Sequence, residues 1–221
     1  GNEKKKKHSD RCTVMTIVPC SSECLPVMAT LLLLLIRAST TYANFTSGID
    51  GVVSLLDGHV LPVVGLGVAL TEDATFNAVT YALSVGYRLI DTAAEESYGN
   101  EDQVGHAIRK FYDNDTDGSS VYVTTKLWDS DHGFWETLHA FDESFFALNL
   151  TAHPESNPAR NGTIDLYLMH SPFGGHIVET WDAMLYLRSK NYVNSVGVSN
   201  FGIPHLRLLR DHGRPLPAGN Q

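Results

Sequence analysis

The sequence predicts an α/β protein whose strands run parallel and are covered by helices. Three observations carry this expectation. From residue 50 onward, strand-like and helix-like segments alternate at about one unit per 30–45 residues. The strand-like segments "YRLID", "SVYVTTKL", "IDLYLM" and "SVGVS" are nearly continuous in apolar or β-branched residues, the pattern of strands buried on both faces. Each also ends in a polar residue that packing does not require. A barrel and an open doubly wound sheet both satisfy these observations.

The elements follow in order. "VVSLLDGHVLPVVGLG" holds two short apolar strands around Asp57-Gly58, a hairpin signal, and runs into a third strand over residues 63–66. "DATFNAVTYALSVG" sets Phe76, Val79, Ala82 and Leu83 on one helical face and ends at Gly86. Strand "YRLID" comes next, then a helix from near Asn100. "SVYVTTKL" is a strand. "FWETLHAFDESFFALNL" is a helix with Trp135, Leu138, Phe141, Phe145 and Leu148 expected to face inward. Strand "IDLYLM", helix "IVETWDAMLYLRS", strand "SVGVS" and helix "IPHLRLLRD" follow, and "AGNQ" opens another strand.

Residues 1–50 form a leader that reads as disordered or signal-peptide-like. Its apolar run, centred on residues 31–36 and closed by Arg37, is too short to span a bilayer. Read from Met28 to Ala43, it has the hydrophobic region and small residues of a cleaved secretory signal. Sequons at Asn44, Asn114, Asn149 and Asn161 favour the secretory reading, with carbohydrate on loops. Without such a signal the expected location is the cytoplasm.

Composition narrows the function. Residues 51–221 carry ten Lys/Arg against twenty-one Asp/Glu, a balance that argues against a nucleic-acid partner and for a small-molecule one. The three cysteines lie in the leader, and the ten histidines show no metal-ligand spacing, so no metal site is expected. Asp91, Lys126, His170 and Ser199-Asn200 close successive strands at intervals of 35, 44 and 30 residues, one strand-helix unit each. A lone strand-end Asp is usually a cap, a lone Lys snorkels, and a lone His is usually a satisfied core residue. Their common phase points instead to one rim at the carboxyl ends of the strands, where barrel enzymes build their sites.

The blocks "GYRLIDTAAEESYGNEDQVG", "VTTKLWDSDHG", "IDLYLMHSP" and "SVGVSNFG" resemble the signature segments of the aldo-keto reductases. "PVVGLG" resembles the first barrel strand and "PAGNQ" the start of the sixth. The resemblance covers about residues 52–221 and implies a (β/α)8 TIM-type barrel with an N-terminal β-hairpin. About six of its eight strands would lie in this chain, which reads as truncated after the sixth. It further implies an oxidoreductase that reduces aldehydes or ketones to alcohols with NADP(H), with NAD(H) as the alternative, and that is monomeric when complete. Asp91, Tyr98, Lys126 and His170 resemble the family's catalytic tetrad. The cofactor would meet Gly67, Val68, Asp91, Ser199, Asn200 and Gln221, and the carbonyl substrate Ala69, Trp128, His170 and Ser171.

The implied chemistry accounts for the residue types. As a hydride reaches the carbonyl carbon, the oxygen must gain a proton. A tyrosine hydroxyl, ordinarily near pKa 10, is a reluctant acid, and a neighbouring ammonium stabilises its phenolate. Two departures stand out within the blocks. Six residues separate Asp91 from Tyr98 where four are usual, so Glu95-Glu96 is a two-residue insertion. Val68-Ala69-Leu70 and Ser171 replace residues that are often aromatic or long, which implies a wider, less aromatic pocket. The rival readings are a non-catalytic nucleotide-binding member of the family and an inactive fragment.

Overall fold

The computed structural model describes residues 51–69, 71–94, 96–114, 120–150 and 162–221. The leader, with its signal-like run, and the sequons at Asn44 and Asn161 lie outside the described residues.

The chain enters through a hairpin. Strands β1 (Val52–Ser54) and β2 (Val60–Pro62) pair antiparallel, with Ser54 opposite Val60. Asp57-Gly58 makes the turn, with Gly58 at φ 91°, a conformation that glycine adopts without a Cβ penalty. Strand β3 (Leu66–Gly67) begins later than expected. The intervening residues serve the junction: the Val63 amide bonds Gly51 O at 2.9 Å, and Gly65 lies against Leu89, where an added Cβ would come within 2.6 Å of Cγ.

Thereafter strands and helices alternate. Helix α1 (Thr75–Ser84) leads to β4 (Leu89–Asp91), α2 (Glu101–Asn114) to β5 (Tyr122–Leu127), and α3 (Phe134–Leu148) to β6 (Ile164–Met169). Helix α4 (Ile177–Ser189), β7 (Val193–Val198) and α5 (Ile203–Asp211) follow. The five strands β3 to β7 are parallel and lie in sequence order. Beyond α5, Asn220 forms a parallel bridge with Val198, where a further strand was expected.

This order decides between the two architectures left open by periodicity. A doubly wound sheet reverses its strand order and carries helices on both faces. Here the order never reverses, and each helix from α1 to α5 packs on the next, so all of them cover one face as in the wall of a (β/α)8 barrel. The strand side chains sort accordingly. On β6, Tyr167 and Met169 join the helix-side core with Ile90, Phe141 and Trp181. Leu166 and Leu168 join a second cluster on the opposite face, with Leu89, Ala218 and the hairpin residues Leu55 and Leu61. The hairpin therefore covers part of the face that the helices leave.

One helix face differs from expectation. In α3 the fully buried row is Thr137, Ala140, Phe141, Ser144 and Leu148, with Leu138 and Phe145 at its flanks. Trp135 lies away from that row and is 74% exposed. Small residues hold the seam because α3 approaches its neighbours closely: a Cβ on Gly105 of α2 would fall 1.9 Å from the Leu148 carbonyl oxygen. A large ring is accommodated only outside such a contact.

Candidate active site

Strand alternation explains which polar side chains meet. On β4, Leu89 and Asp91 share the face opposite the helices, while Ile90 points to the helix side. On β5 Lys126 takes the same inner phase, between Thr125, which bonds Glu101 of α2, and Leu127 of the helix-side core. His170 and Ser199 continue the inner phase of β6 and β7. Backbone bonds extend the ladder past each strand: Val68 N to Asp91 O, Ala94 N to Lys126 O, His170 N to Leu127 O and Ser199 N to Met169 O. The carboxyl ends are thereby held at one level.

At the centre lies a buried ion pair. The Lys126 ammonium sits 2.9 Å from both carboxylate oxygens of Asp91 and donates to Thr92 O at 2.9 Å. Lys126 is 1% exposed and Asp91 6%. Burial pushes the Asp91 carboxyl above its ordinary value, while the ammonium and the Gln221 amide, at 3.3 Å from Oδ2, pull it back down. Each of the two side chains has the other as its chief polar partner.

Tyr98 joins this centre despite the insertion. The amides of Ser97 and Tyr98 both bond Ala94 O, at 2.9 and 3.0 Å, which holds the Tyr98 backbone close to the end of β4. Its centroid lies 5.0 Å from Lys126 Nζ and 5.9 Å from the His170 imidazole, edge-on. Trp128 meets the same imidazole at 4.9 Å. Burial and the Lys126 ammonium lower the pKa of His170 to about 4, against a smaller opposite effect of Asp129, so the ring is neutral at pH 7. Ser97 Oγ lies 3.4 Å from its Nδ1. With Ser97 donating, the ring proton stands on Nε2.

Ser199, Asn200 and Gln221 form an amide-rich corner beside the pair. Asn200, in the left-handed conformation at φ 61°, donates to His170 O at 2.8 Å and to Ser199 Oγ at 3.1 Å. Ser199 Oγ reaches the backbone and side-chain oxygens of Gln221, each at 3.4 Å. Of the remaining candidates, Val68 is fully buried, Gly67 partly, and Ala69, two residues past β3, is exposed. Ser171 is turned to Asp129, with Oγ donating to Oδ1 at 2.7 Å.

Several supporting residues went unnoticed in the sequence. Buried Asn100 accepts from Thr92 Oγ1 at 2.8 Å and donates to Val68 O at 2.9 Å, tying the loops after β3 and β4 to the start of α2. Ser97, Asp129 and Glu101 were also missed. Only Asn100 and Glu101 carried a signal, at the predicted start of a helix; the partners of the others come from loops distant in sequence.

The description "Aldo/keto reductase family" belongs to the family model that matches residues 64–221. An aldo-keto reductase of Mycobacterium sp. (strain KMS) is 42% identical over 172 residues, covering 76% of this chain and 56% of that protein. The methylglyoxal reductase DkgA of Escherichia coli (strain K12) is 39% identical over 173 residues, 77% of this chain and 56% of its own length. A solved structure of a Bombyx mori aldo-keto reductase in complex with NADP superposes with a TM-score of 0.64 at 30% identity, covering 78% of this chain and 57% of the other. The chain thus spans little more than half the length of these relatives.

Proposed function

The chain belongs to the aldo/keto reductase family, and from that premise we propose that the full-length protein reduces small aldehydes or ketones to alcohols with NADP(H). The observation that carries the reading is the buried Asp91–Lys126 pair lying beneath Tyr98 and His170. A purely structural pair in that position would not need a phenol and a neutral imidazole over it. The NADP complex of the silkworm relative and the methylglyoxal reductase activity named for the bacterial one favour the same cofactor and substrate class.

The residues present fit a nicotinamide group. A carboxamide needs both donors and acceptors, and the corner of Ser199, Asn200 and Gln221 offers hydroxyl and amide groups of both kinds. When bound, the reduced nicotinamide supplies the hydride that adds to the carbonyl carbon. Neutral His170 donates from Nε2 to the carbonyl oxygen and orients it. Tyr98 gives its hydroxyl proton to that oxygen as negative charge develops there. Lys126 stabilises the phenolate left behind, and Asp91 keeps the ammonium in place. The balance is one hydride and one proton per alcohol formed.

The test is loss of the proton donor. With methylglyoxal and NADPH, Tyr98→Phe should lower turnover by about 10²–10⁴-fold, while NADPH affinity, read by fluorescence titration, stays close to wild type. Turnover that survives this change would remove Tyr98 from the mechanism. A secreted, glycosylated form belongs to the same proposal, supported by the leader pattern and by exposed Asn114 at the end of α2. Expression in a eukaryotic host should yield a protein that loses mass on deglycosylation; an unmodified cytosolic chain would refute it.

A further inference from the structure

The loop after β5 and the loop after β6 are joined by a hydrogen bond that the proposed chemistry does not use. Ser171 follows His170 directly and is 6% exposed. Its hydroxyl donates to Asp129 Oδ1 at 2.7 Å and accepts from the Phe173 amide at 3.0 Å. Asp129 in turn follows Trp128, whose ring meets the His170 imidazole. The two residues that wall the reaction centre on this side are therefore each next in sequence to a member of the Ser171–Asp129 link. The carboxylate cannot swing away without breaking that link.

The charge on Asp129 is also poorly compensated. Its side chain is 27% exposed, and among the described residues the basic group nearest to it is His132, at 3.9 Å from Oδ1. His132 is buried, which holds its pKa below the ordinary value, and its Nδ1 is engaged with Gly175 O at 2.7 Å. A neutral imidazole leaves the carboxylate charge standing. The ammonium of the reaction centre, Lys126, is committed to Asp91. A negative charge thus stands beside the Trp128–His170 wall, near enough to act on the His170 imidazole.

We infer that the Ser171–Asp129 pair is a specificity element which selects against carbonyl substrates bearing a carboxylate, and in favour of neutral or cationic ones. The inference rests on the reductase reading above. Its physical content is simple repulsion: two like charges held within one site in a partly water-excluded environment oppose binding and transition state alike, and the penalty falls with added salt.

The experiment compares two aldehydes of one skeleton, para-carboxybenzaldehyde and its methyl ester, with NADPH and the full-length protein. The quantity read is the ratio of kcat/KM for ester over acid. Wild type should favour the ester, and the preference should shrink as salt is raised. Asp129→Asn, which keeps the shape, should reduce the ratio by about tenfold. Ser171→Ala, which frees the carboxylate, should reduce it less and in the same direction. An ester-to-acid ratio that is the same in wild type and both variants, with both aldehydes turned over, overturns this inference and leaves the reductase reading intact. A wild-type ratio insensitive to salt overturns it equally, even where a variant fails to fold. Absence of turnover with any aldehyde sinks both.

Discussion

Replacing Lys126 by methionine tests the centre of the site through stability alone. In the full-length protein this change removes an ammonium 2.9 Å from both oxygens of Asp91 and from Thr92 O. The carboxylate that remains is 6% exposed, with the Gln221 amide at 3.3 Å as its surviving partner in this cluster. Breaking a buried pair by deleting one member costs about 3–5 kcal/mol, because the other charge is left uncompensated. At about 2–4 °C per kcal/mol for 150–250 residues, and less for a longer chain, that corresponds to a fall in Tm of at least several degrees. The sign of the pH dependence follows from Asp91. Burial already raises its pKa against the pull of Lys126; without the lysine the raise is larger. A carboxyl whose folded pKa lies above its unfolded value loses stability as pH rises through the folded value. The deficit of the variant should therefore be greatest at neutral pH and shrink as the solution is made acid. Adding Asp91→Asn should restore most of the loss, since no charge then remains buried. Thermal melts followed by circular dichroism at several pH values provide the measurement. A Tm within about 2 °C of wild type at neutral pH, or a double variant as unstable as the single one, would refute the claim that this pair is desolvated and mutually dependent.

Two further outcomes follow from the packing and from the imidazole. Gly105→Ala should lower stability by about 2–4 kcal/mol in chemical denaturation, because the new methyl would meet the Leu148 carbonyl oxygen at 1.9 Å and backbone cannot yield as a side chain does; a loss below about 0.5 kcal/mol would show that α2 and α3 are not so close. His170 should titrate near pH 4 by proton NMR, and since the unfolded chain takes up that proton near pH 6.5, its contribution to stability should fall as pH drops between those values. A midpoint near 6.5 would mean that the ring is neither buried nor beside the Lys126 ammonium.

Much of the fold was legible because it is written in local periodicity. The alternation of helix and strand, the turn at Asp57-Gly58, the end of α1 at Gly86 and the polar residues closing β4 to β7 depend on side chains a few positions apart. Their shared phase by itself assigns Asp91, Lys126, His170 and Ser199 to one rim. Two things were decided only by the tertiary structure. Whether the sheet is singly or doubly wound depends on which strands pair, and pairing energies between segments 30 or more residues apart leave no periodic trace; the unbroken order β3 to β7 supplies that answer. The inner face of α3 was likewise misread at Trp135, because helix periodicity ranks residues by hydrophobicity, whereas the seam admitted Thr137, Ala140 and Ser144 by size. The same distinction applies at the site. Residue type announced the chemistry of Asp91, Lys126 and His170, but the approach of Tyr98 to Lys126, and the link from Ser171 to Asp129, exist only where segments far apart in sequence are brought together.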